Sequence, residues 1–345
     1  MGLSTSSGLR VGRGSPGPRN LISDVPGVTV GHVTIRDGAD VNTGVTAVLP
    51  HQGDLFRDKV LAASAVINGF GKTAGLIQVE ELGTIETPIV LTNTLSVGTA
   101  YTALVKYAMA RNPDIGRTAG TVNPLVCECN DGSLNDIRGL HVTEEHVLEA
   151  IASAKADFAE GSVGGGTGMS CLGFKGGIGS ASRVAVLDGR AYTVGALVMS
   201  NFGGPGRLMI DGRQVGRELQ AKLAQEQDKG SIIMLLATDV PLSERQLKRL
   251  CRRAGAGLAR TGSYYGNGSG DIAIAFTTAN RVPQGGERVF LDLRMLSDER
   301  IDPVLDLSAE AVEEAIVSSL YHAETITGRD GRVRRGLREF LDRLD

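Results

Sequence analysis

The sequence predicts a layered domain of the α/β or α+β class. Short apolar runs typical of strands recur along the chain, and runs with helical periodicity lie between them. Elements of both kinds, mixed along the whole length, pack as layers around a shared core. The predicted strands are 28–35, 43–50, 74–79, 88–94, 183–187, 192–201, 231–239, 271–276 and 288–296.

The helices are predicted from apolar periodicity and from the residues that precede it. Thr143 and Ser243 come directly before two such runs and are predicted N-caps, because a short hydroxyl side chain accepts hydrogen bonds from first-turn N–H groups. The predicted helices are 95–110, 144–156, 244–259, 309–323 and 333–344. No polar, proline-rich tether separates these elements, so residues 1–345 are expected to form a single domain.

The charge balance argues against nucleic acid and membranes as partners. Lys and Arg number 36 against 39 Asp and Glu, which gives a formal net charge of −3. Without a basic excess the chain has no means of tracking a phosphate backbone or an anionic lipid surface. No window approaches the roughly 18 uninterrupted apolar residues that read as a membrane-spanning helix.

The cysteines and the N-terminal segment predict a cytoplasmic location. Four scattered cysteines match no zinc or disulfide spacing and fit a reducing compartment; they are Cys127, Cys129, Cys171 and Cys251. The first 20 residues contain no apolar core of signal-peptide length. Their start fits the myristoylation pattern M-G-x-x-x-[ST], which also arises by chance, and a flexible leader is the alternative.

Familiar catalytic and cofactor motifs are incomplete. The segment NGFGKTAG (68–75) contains G-K-T, but Val66 occupies the position where a phosphate loop requires glycine. The five histidines show no metal-binding spacing, so no metal and no organic cofactor are expected. The nucleophile motif G-x-S-x-G is also absent, because Asn267 and Asp271 flank Ser269 at a distance of two residues.

The segment GNGSGD (266–271) has two interpretations. Its glycines and Asn267 suit a tight turn before the apolar run DIAIAF. Alternatively, the hydroxyl of Ser269 could attack the carbonyl of Gly268, and hydrolysis of the resulting ester would cut the chain there. The new terminus would carry a nucleophile and an α-amine with an ordinary pKa of about 7.7 to 8.0, suited to proton transfer. The motif alone favours the turn.

Eight blocks in order along the chain resemble the L-aminopeptidase/D-esterase and β-peptidyl aminopeptidase family. They are 19–35, 126–137 (VCECNDGSLNDI), 163–183 (VGGGTGMSCLGFKGGIGSASR), 194–203, 210–219, 231–242 with 246–254, 266–280 and 313–331. The resemblance implies a four-layer αββα sandwich of the N-terminal-nucleophile type. It also implies a precursor that cuts itself between Gly268 and Ser269 into 1–268 and 269–345, and a homo-oligomer, a tetramer of processed heterodimers.

The resemblance assigns catalytic roles to four residues. Ser269 falls on the family nucleophile, and Ser308 with Glu310 resembles the serine and glutamate that orient it. Asn201 resembles the asparagine that stabilises the oxyanion. From the local sequence alone, Ser308 is also explained as an ordinary helix N-cap, and Asn201 is also explained as a turn residue.

Substrate binding is assigned to one carboxylate and one glycine block. Glu128 is the candidate for binding the substrate amine, although the nearby Asp131 and Asp136 are open as loop-capping residues. Gly164, Gly165 and Gly166 are expected to pass close to the substrate backbone. The family also uses a pocket tyrosine; Tyr264 and Tyr265 lie near the cut, but no motif places the role on either.

The resulting hypothesis is a self-processing aminopeptidase or amidase that removes the N-terminal residue of small peptides, amides or esters through an acyl-serine. One alternative is an acyltransferase or specialised amidase of the same superfamily. An alternative from another class is a glycine-rich protein that binds an anion or nucleotide and never cleaves. The sequence does not distinguish α-L, α-D and β-aminoacyl substrates.

Overall fold

A computed structural model of the chain describes residues 11–219, 230–285 and 289–341. Its strands are β1 (Thr29–Asp37), β2 (Val41–Leu49), β3 (Asp58–Gly69), β4 (Thr84–Ile85), β5 (Ile89–Asn93), β6 (Leu125–Cys129), β7 (Ser170–Cys171), β8 (Phe174–Lys175), β9 (Gly177–Leu187), β10 (Arg190–Asn201), β11 (Ser231–Thr238), β12 (Gly270–Pro283), β13 (Ile326–Thr327) and β14 (Val333–Arg334). Its helices are α1 (Leu76–Leu82), α2 (Val97–Arg111), α3 (Glu144–Ala152), α4 (Val215–Leu219), α5 (Glu244–Arg260), α6 (Asp302–Tyr321) and α7 (Arg338–Leu341).

Two large sheets form the inner layers. The four-stranded sheet has the order β1-β2-β5-β6, and the six-stranded sheet has the order β4-β3-β12-β11-β10-β9. Strand β12 is near the middle of the larger sheet, antiparallel to β3 and parallel to β11. A residue at the start of β12 therefore lies between two neighbouring strands.

The alternation of side chains along β12 separates two cores. Ile272 and Ile274 pack with residues of the smaller sheet, including Val48 and Leu91, and all are buried. Ala273 and its like-facing neighbours pack against the helices on the opposite face. Because successive side chains of a strand point to opposite faces, one apolar strand supplies both cores.

Helices cover the outer face of each sheet and complete four layers. Helices α2 and α3 pack on the smaller sheet, while α5 and α6 pack on the larger one. The close approach of α6 to β9 depends on Gly179, where an added Cβ would lie 2.0 Å from the carbonyl oxygen of Ala315. The predicted αββα sandwich is confirmed.

Two predicted strands are wrong. Residues 76–82 form helix α1, which begins after Gly75 at a φ of 98°, and only Ala74 bridges to Val126. Residues 289–296 form no strand, and Val289 and Phe290 there are each 85% exposed. Short apolar runs carry too few residues to separate a strand from a helix turn or an exposed segment.

Three strands of the two large sheets, β3, β4 and β6, were missing from the prediction, and helices α3, α6 and α7 differ from it. Alanine-rich β3 (Asp58–Gly69) and the short β6 lack the run of β-branched residues that marks a strand. Helix α6 begins at Asp302, with Pro303 in its first turn, rather than at 309. The last predicted helix is reduced to Arg338–Leu341, and its end at 342–344 lies outside the described residues.

The predicted N-caps of α3 and α5 are correctly placed. Ser243 Oγ accepts the backbone N–H of Gln246 at 3.3 Å, and the Gln246 side chain accepts the N–H of Ser243 at 3.1 Å. None of the helices that the structure describes is long and apolar enough to cross a membrane. The myristoylation pattern at the N-terminus lies outside the described residues.

Candidate active site

Ser269 lies at the entrance to β12 and is 3% exposed. Its backbone N–H donates to the carbonyl of Gly266 at 2.9 Å, which closes the turn predicted for GNGSGD. Gly270, the next residue, donates its N–H to Ser231 Oγ at 3.1 Å. The turn and the strand together fix Ser269 at the start of a central strand of the larger sheet.

The hydroxyl of Ser269 has an acidic partner two residues along the chain. Ser269 Oγ donates to Asp271 Oδ1 at 2.7 Å, and Asp271 is fully buried. Residues two apart on a strand face the same side, so this pairing follows from the extended backbone. A carboxylate that accepts the hydroxyl proton can orient a serine and assist its deprotonation.

Asn68, which pairs with Asp271 across β3 and β12, braces the peptide next to Ser269. Its side-chain nitrogen donates to the carbonyl of Gly266 at 2.8 Å and to that of Ser269 at 2.5 Å. The N–H of Phe70 also donates to the Ser269 carbonyl, at 3.2 Å. These bonds hold the chain on both sides of the Gly268–Ser269 peptide.

Gly268 itself is exposed. An ideal Cβ built on it would meet no atom within 4 Å. A glycine at this position leaves the face of its carbonyl open to attack, because no side chain blocks the approach.

Asn201 ends β10, where it pairs with Ser231 of β11. Its side-chain oxygen accepts the N–H of Ser170 at 2.9 Å, and its nitrogen donates to the carbonyl of Asn130 at 3.0 Å. An amide nitrogen carries two protons, so the bond to Asn130 does not exhaust its donors. These contacts fix the orientation of the amide beside the start of β12.

Glu128 lies in β6 of the smaller sheet and is 3% exposed. Its Oε1 accepts the backbone N–H of Lys72 at 2.8 Å, and its Oε2 accepts the hydroxyl of Thr94. A carboxylate held by two donors is oriented before any ligand arrives, which suits the binding of an ammonium group.

One cavity of about 900 Å³ joins these groups. Gly268, Ser231, Asn201 and Glu128 all line it, together with the aromatic ring of Phe70. This volume is within the range of small-molecule sites, about 300–1,000 Å³. The structure thus brings the Ser269 turn, Asn201 and Glu128 to a single site.

Ser308 is not part of this site. It is fully buried inside α6, and its hydroxyl donates to the carbonyl of Leu305 at 2.7 Å. Both interpretations of Ser308 from the sequence need correction, because α6 begins at Asp302, seven residues earlier than a Ser308 cap requires. Its contacts make it a structural residue of the helix interior.

Glu310 is also distant from Ser269. Its carboxylate accepts the N–H of Gly14 at 2.8 Å and is 3.3 Å from the guanidinium of Arg183. Arg183 lies six residues along β9 from Gly177, whose partner Ser200 precedes Asn201, so about 20 Å of strand separates the two places. The predicted serine-serine-glutamate arrangement therefore does not form in this structure, and Asp271 occupies the place next to the nucleophile.

The glycine block likewise lies outside the cavity. Gly164, Gly165 and Gly166 form a buried turn, and a Cβ on Gly166 would lie 2.5 Å from the backbone nitrogen of Ile178. Lys175, whose pKa burial lowers well below its ordinary value, donates to the carbonyl of Gly166 at 3.0 Å. The glycines permit close packing of the backbone here. The prediction that they contact the substrate therefore needs correction.

Neither candidate tyrosine lines the cavity. Tyr265 donates its hydroxyl to the carbonyl of Gly255, and the ring of Tyr264 stacks with Arg207.

Among the described residues, no group of three His, Cys, Asp or Glu side chains is placed to hold a metal ion. The contributions of Asp271 and Asn68 were missed from the sequence, although the two-residue spacing in S-G-D was a usable signal for Asp271.

Comparisons with known proteins identify the family of the chain. Residues 20–334 match the description peptidase family S58. The beta-peptidyl aminopeptidase BapA of Sphingosinicella microcystinivorans is 41% identical over 342 residues, which cover 92% of this chain and 85% of that protein.

Solved structures show the same likeness along nearly the whole chain. The PH0078 protein of Pyrococcus horikoshii OT3 is 54% identical with a TM-score of 0.95, covering 99% of this chain and 98% of that one. An L-aminopeptidase D-Ala-esterase/amidase of Ochrobactrum anthropi, described as a variant of the Ntn hydrolase fold, is 40% identical with a TM-score of 0.88; the match covers 96% of this chain and 94% of that one.

The fold and these relatives define a hydrolase of the N-terminal-nucleophile class, an aminopeptidase or amidase. Within that class the chain belongs to peptidase family S58.

Proposed function

We propose that this single domain is a precursor that cuts itself between Gly268 and Ser269, and that Ser269 is then the nucleophile of the mature enzyme. The observation that carries the proposal is the buried Ser269 hydroxyl, which is bonded to Asp271 and directly follows Gly268 in the wall of the cavity. The products are the chains 1–268 and 269–345.

The cut proceeds through an ester. Ser269 Oγ attacks the carbonyl carbon of Gly268 while Asp271 accepts the hydroxyl proton. The C–N bond breaks, the nitrogen of Ser269 takes up a proton and becomes its α-amine, and Gly268 is held as an ester on Oγ. Water then hydrolyses the ester, releasing the carboxylate of Gly268 and restoring the hydroxyl.

Turnover repeats the same chemistry on a substrate. Ser269 Oγ attacks the acyl carbon, and the proton passes to the new α-amine or to Asp271 before it reaches the leaving group. The amide of Asn201 is placed to donate to the oxyanion. Water finally releases the acyl group from Ser269.

Glu128 selects substrates by their N-terminal end. Its oriented carboxylate binds the free amine of the substrate, which restricts cleavage to the N-terminal residue. We propose small peptides, amides and esters as substrates, because the relatives include a beta-peptidyl aminopeptidase and an L-aminopeptidase D-Ala-esterase/amidase.

We further propose a cytoplasmic homo-oligomer, a tetramer of processed heterodimers. Exposed apolar side chains support association, because Val289 and Phe290 are each 85% exposed and Met295 is 58% exposed. The four cysteines are free, which supports a reducing compartment. Light scattering during gel filtration measures the assembly.

A panel of aminoacyl p-nitroanilides tests the activity. We expect release of p-nitroaniline from at least one of the α-L, α-D and β forms, and none from the matching N-acetylated compound, which lacks the amine that Glu128 binds. Analysis of products with an added amine acceptor separates hydrolysis from acyl transfer. A protein that binds nucleotide and hydrolyses none of the panel would refute the proposal.

A further inference from the structure

Positively charged side chains outnumber carboxylates in the lining of the cavity. Two of these cations lie far from Glu128 in the sequence. Among the described residues that line the cavity, Glu128 is the single carboxylate, whereas Lys72, Arg332 and Arg334 are cationic. The amine of a substrate accounts for Glu128 under the proposed function. It leaves the arginines without an assigned role.

The two arginines belong to one face of a β-ribbon. Strand β14 (Val333–Arg334) pairs with β13, and Arg332 directly precedes it. Because alternate residues of an extended chain face the same side, Arg332 and Arg334 point together into the cavity, while Val333 between them is 46% exposed. The pair is therefore a feature of the ribbon rather than of a single side chain.

The ribbon is fixed to the body of the protein. The N–H of Arg329 donates to the carbonyl of Leu134 at 3.0 Å, and the N–H of Lys175 in β8 donates to the carbonyl of Arg335 at 2.9 Å. At Gly328 an added Cβ would lie 2.5 Å from the Leu134 carbonyl, so the ribbon packs tightly there. These contacts hold in place the backbone that carries Arg332 and Arg334.

Both guanidinium groups already have contacts in the structure. Arg332 is 3.9 Å from the carboxylate of Asp330, whose side chain is 63% exposed, and such exposed pairs are weak. Arg334 is 7% exposed, and its Nη1 donates to the carbonyl of Val333 at 3.2 Å. A guanidinium carries five N–H donors in a planar fork, a geometry that matches a carboxylate.

We propose that Arg332 and Arg334 bind the free carboxylate of the leaving portion of the substrate. The preferred substrates are then short zwitterionic peptides, with the ammonium at Glu128 and the carboxylate at the ribbon, rather than the same peptides amidated at the C-terminus. This inference rests on the proposed aminopeptidase function. It assigns specificity to two residues that take no part in the acyl transfer itself.

The test compares a dipeptide of an accepted aminoacyl group with its C-terminal amide. We expect kcat/KM to be about tenfold higher for the free acid, the value of one charge-assisted hydrogen bond, with the difference mainly in KM. In Arg332→Gln this preference should fall to near unity, because kcat/KM for the free acid falls toward that for the amide. Arg334→Lys, which keeps a charge in the buried position, should reduce the preference by a smaller factor.

Arg335→Gln is the matched control. It removes the same charge from the same ribbon, but its guanidinium pairs with Glu339 at 2.7 Å instead of lining the cavity. It should keep the wild-type preference. Equal kcat/KM for acid and amide in the wild type, or an unchanged preference in Arg332→Gln, overturns the inference. Absence of activity on either substrate, and on the p-nitroanilide panel, would instead refute the proposed function.

Discussion

Ser269 Oγ and Asp271 Oδ1 are 2.7 Å apart, and both residues are buried at the start of the central strand β12. The strand geometry creates this pair without any distant partner, because residues i and i+2 share one face. The nucleophile, its acceptor and the scissile glycine thus occupy four consecutive positions, 268–271. This compactness leads to the first prediction.

Asp271→Asn should slow both the cut and the turnover. Asparagine keeps the shape and the acceptor oxygen but cannot take the hydroxyl proton, and loss of a general base costs roughly a hundredfold or more in rate. The time course of band splitting on a denaturing gel and the kcat of the matured fraction measure the two effects. Asp136→Asn, a change of the same kind in a residue that does not line the cavity, is the control. Wild-type rates in Asp271→Asn would remove Asp271 from the mechanism.

Glu310→Gln should weaken the fold and leave the chemistry intact. Burial raises the pKa of Glu310, but the N–H groups of Arg13 and Gly14 and the guanidinium of Arg183 outweigh this and hold the pKa below its ordinary value. The variant should lose about 2 kcal/mol of unfolding free energy in urea, because Arg183 stays buried with one partner fewer. Since the pKa is lowered, this contribution is present above the ordinary carboxylate pKa and disappears as the pH falls.

Glu339→Gln is the comparison for Glu310, since its pair with Arg335 is exposed and should be worth less than about 1 kcal/mol. Ser308→Ala should likewise process normally, because its hydroxyl donates to the helix backbone carbonyl of Leu305. A specific loss of cleavage in Ser308→Ala or Glu310→Gln, with stability preserved, would restore these residues to the site.

Glu128→Gln should impair binding of the substrate amine. The amide lacks the charge that pairs with an ammonium, and it offers a donor where the N–H of Lys72 and the hydroxyl of Thr94 also donate. We expect kcat/KM to fall roughly a hundredfold, mainly through KM, with self-cleavage preserved. Steady-state kinetics on the accepted p-nitroanilide measure this. An unchanged KM would assign amine binding elsewhere.

Glu160 should make the stability depend on pH. Burial raises its pKa from 4.5 to about 8, and nearby Glu314 adds to the rise. His322, whose Nδ1 is 3.6 Å from Glu160, has a pKa lowered by burial. Between the ordinary pKa of 4.5 and the pKa of about 8 in the folded protein, Glu160 is protonated in the folded state and ionised in the unfolded state. The free energy of unfolding therefore falls by about 1.4 kcal/mol per pH unit as the pH rises through this interval.

Urea unfolding at pH 6 and pH 8 tests this dependence. Glu160→Gln removes the titrating group and should lose less stability over this interval than the wild type. The exposed Glu339→Gln should follow the wild type. The same slope in Glu160→Gln and wild type would show that the Glu160 carboxyl is not proton-linked to folding.

The sequence predicts the layers better than it predicts the site. DIAIAF and VGALVMSN read as strands because their apolar runs are continuous, and the Ser243 cap is encoded within four residues. Strand β3 is hidden because its alanines have weak β preference. The start of α6 is hidden because its N-cap is Ile301, which has no capping side chain, and this shift moved Ser308 from a helix end to its interior.

The site itself depends on tertiary placement. Local reasoning singled out Gly268 and Ser269 but favoured a turn there, and the family resemblance assigned them the cut and the nucleophile. The bracing by Asn68 requires the register of β3 against β12, and the cavity combines residues from Phe70 to Arg334. Pairings of that kind are set by packing and are not written in the spacing of residues along the chain.

Intact mass and N-terminal sequencing of the active protein, with Ser269→Ala beside it, test the central claim most directly. Ser263→Ala, in the same connecting segment, controls for substitution of a serine there. We expect active wild type and the control to contain chains 1–268 and 269–345, the second beginning with Ser269, and Ser269→Ala to remain full-length and inactive. Cleavage and turnover in Ser269→Ala, or turnover by an uncut wild-type chain, would contradict the account.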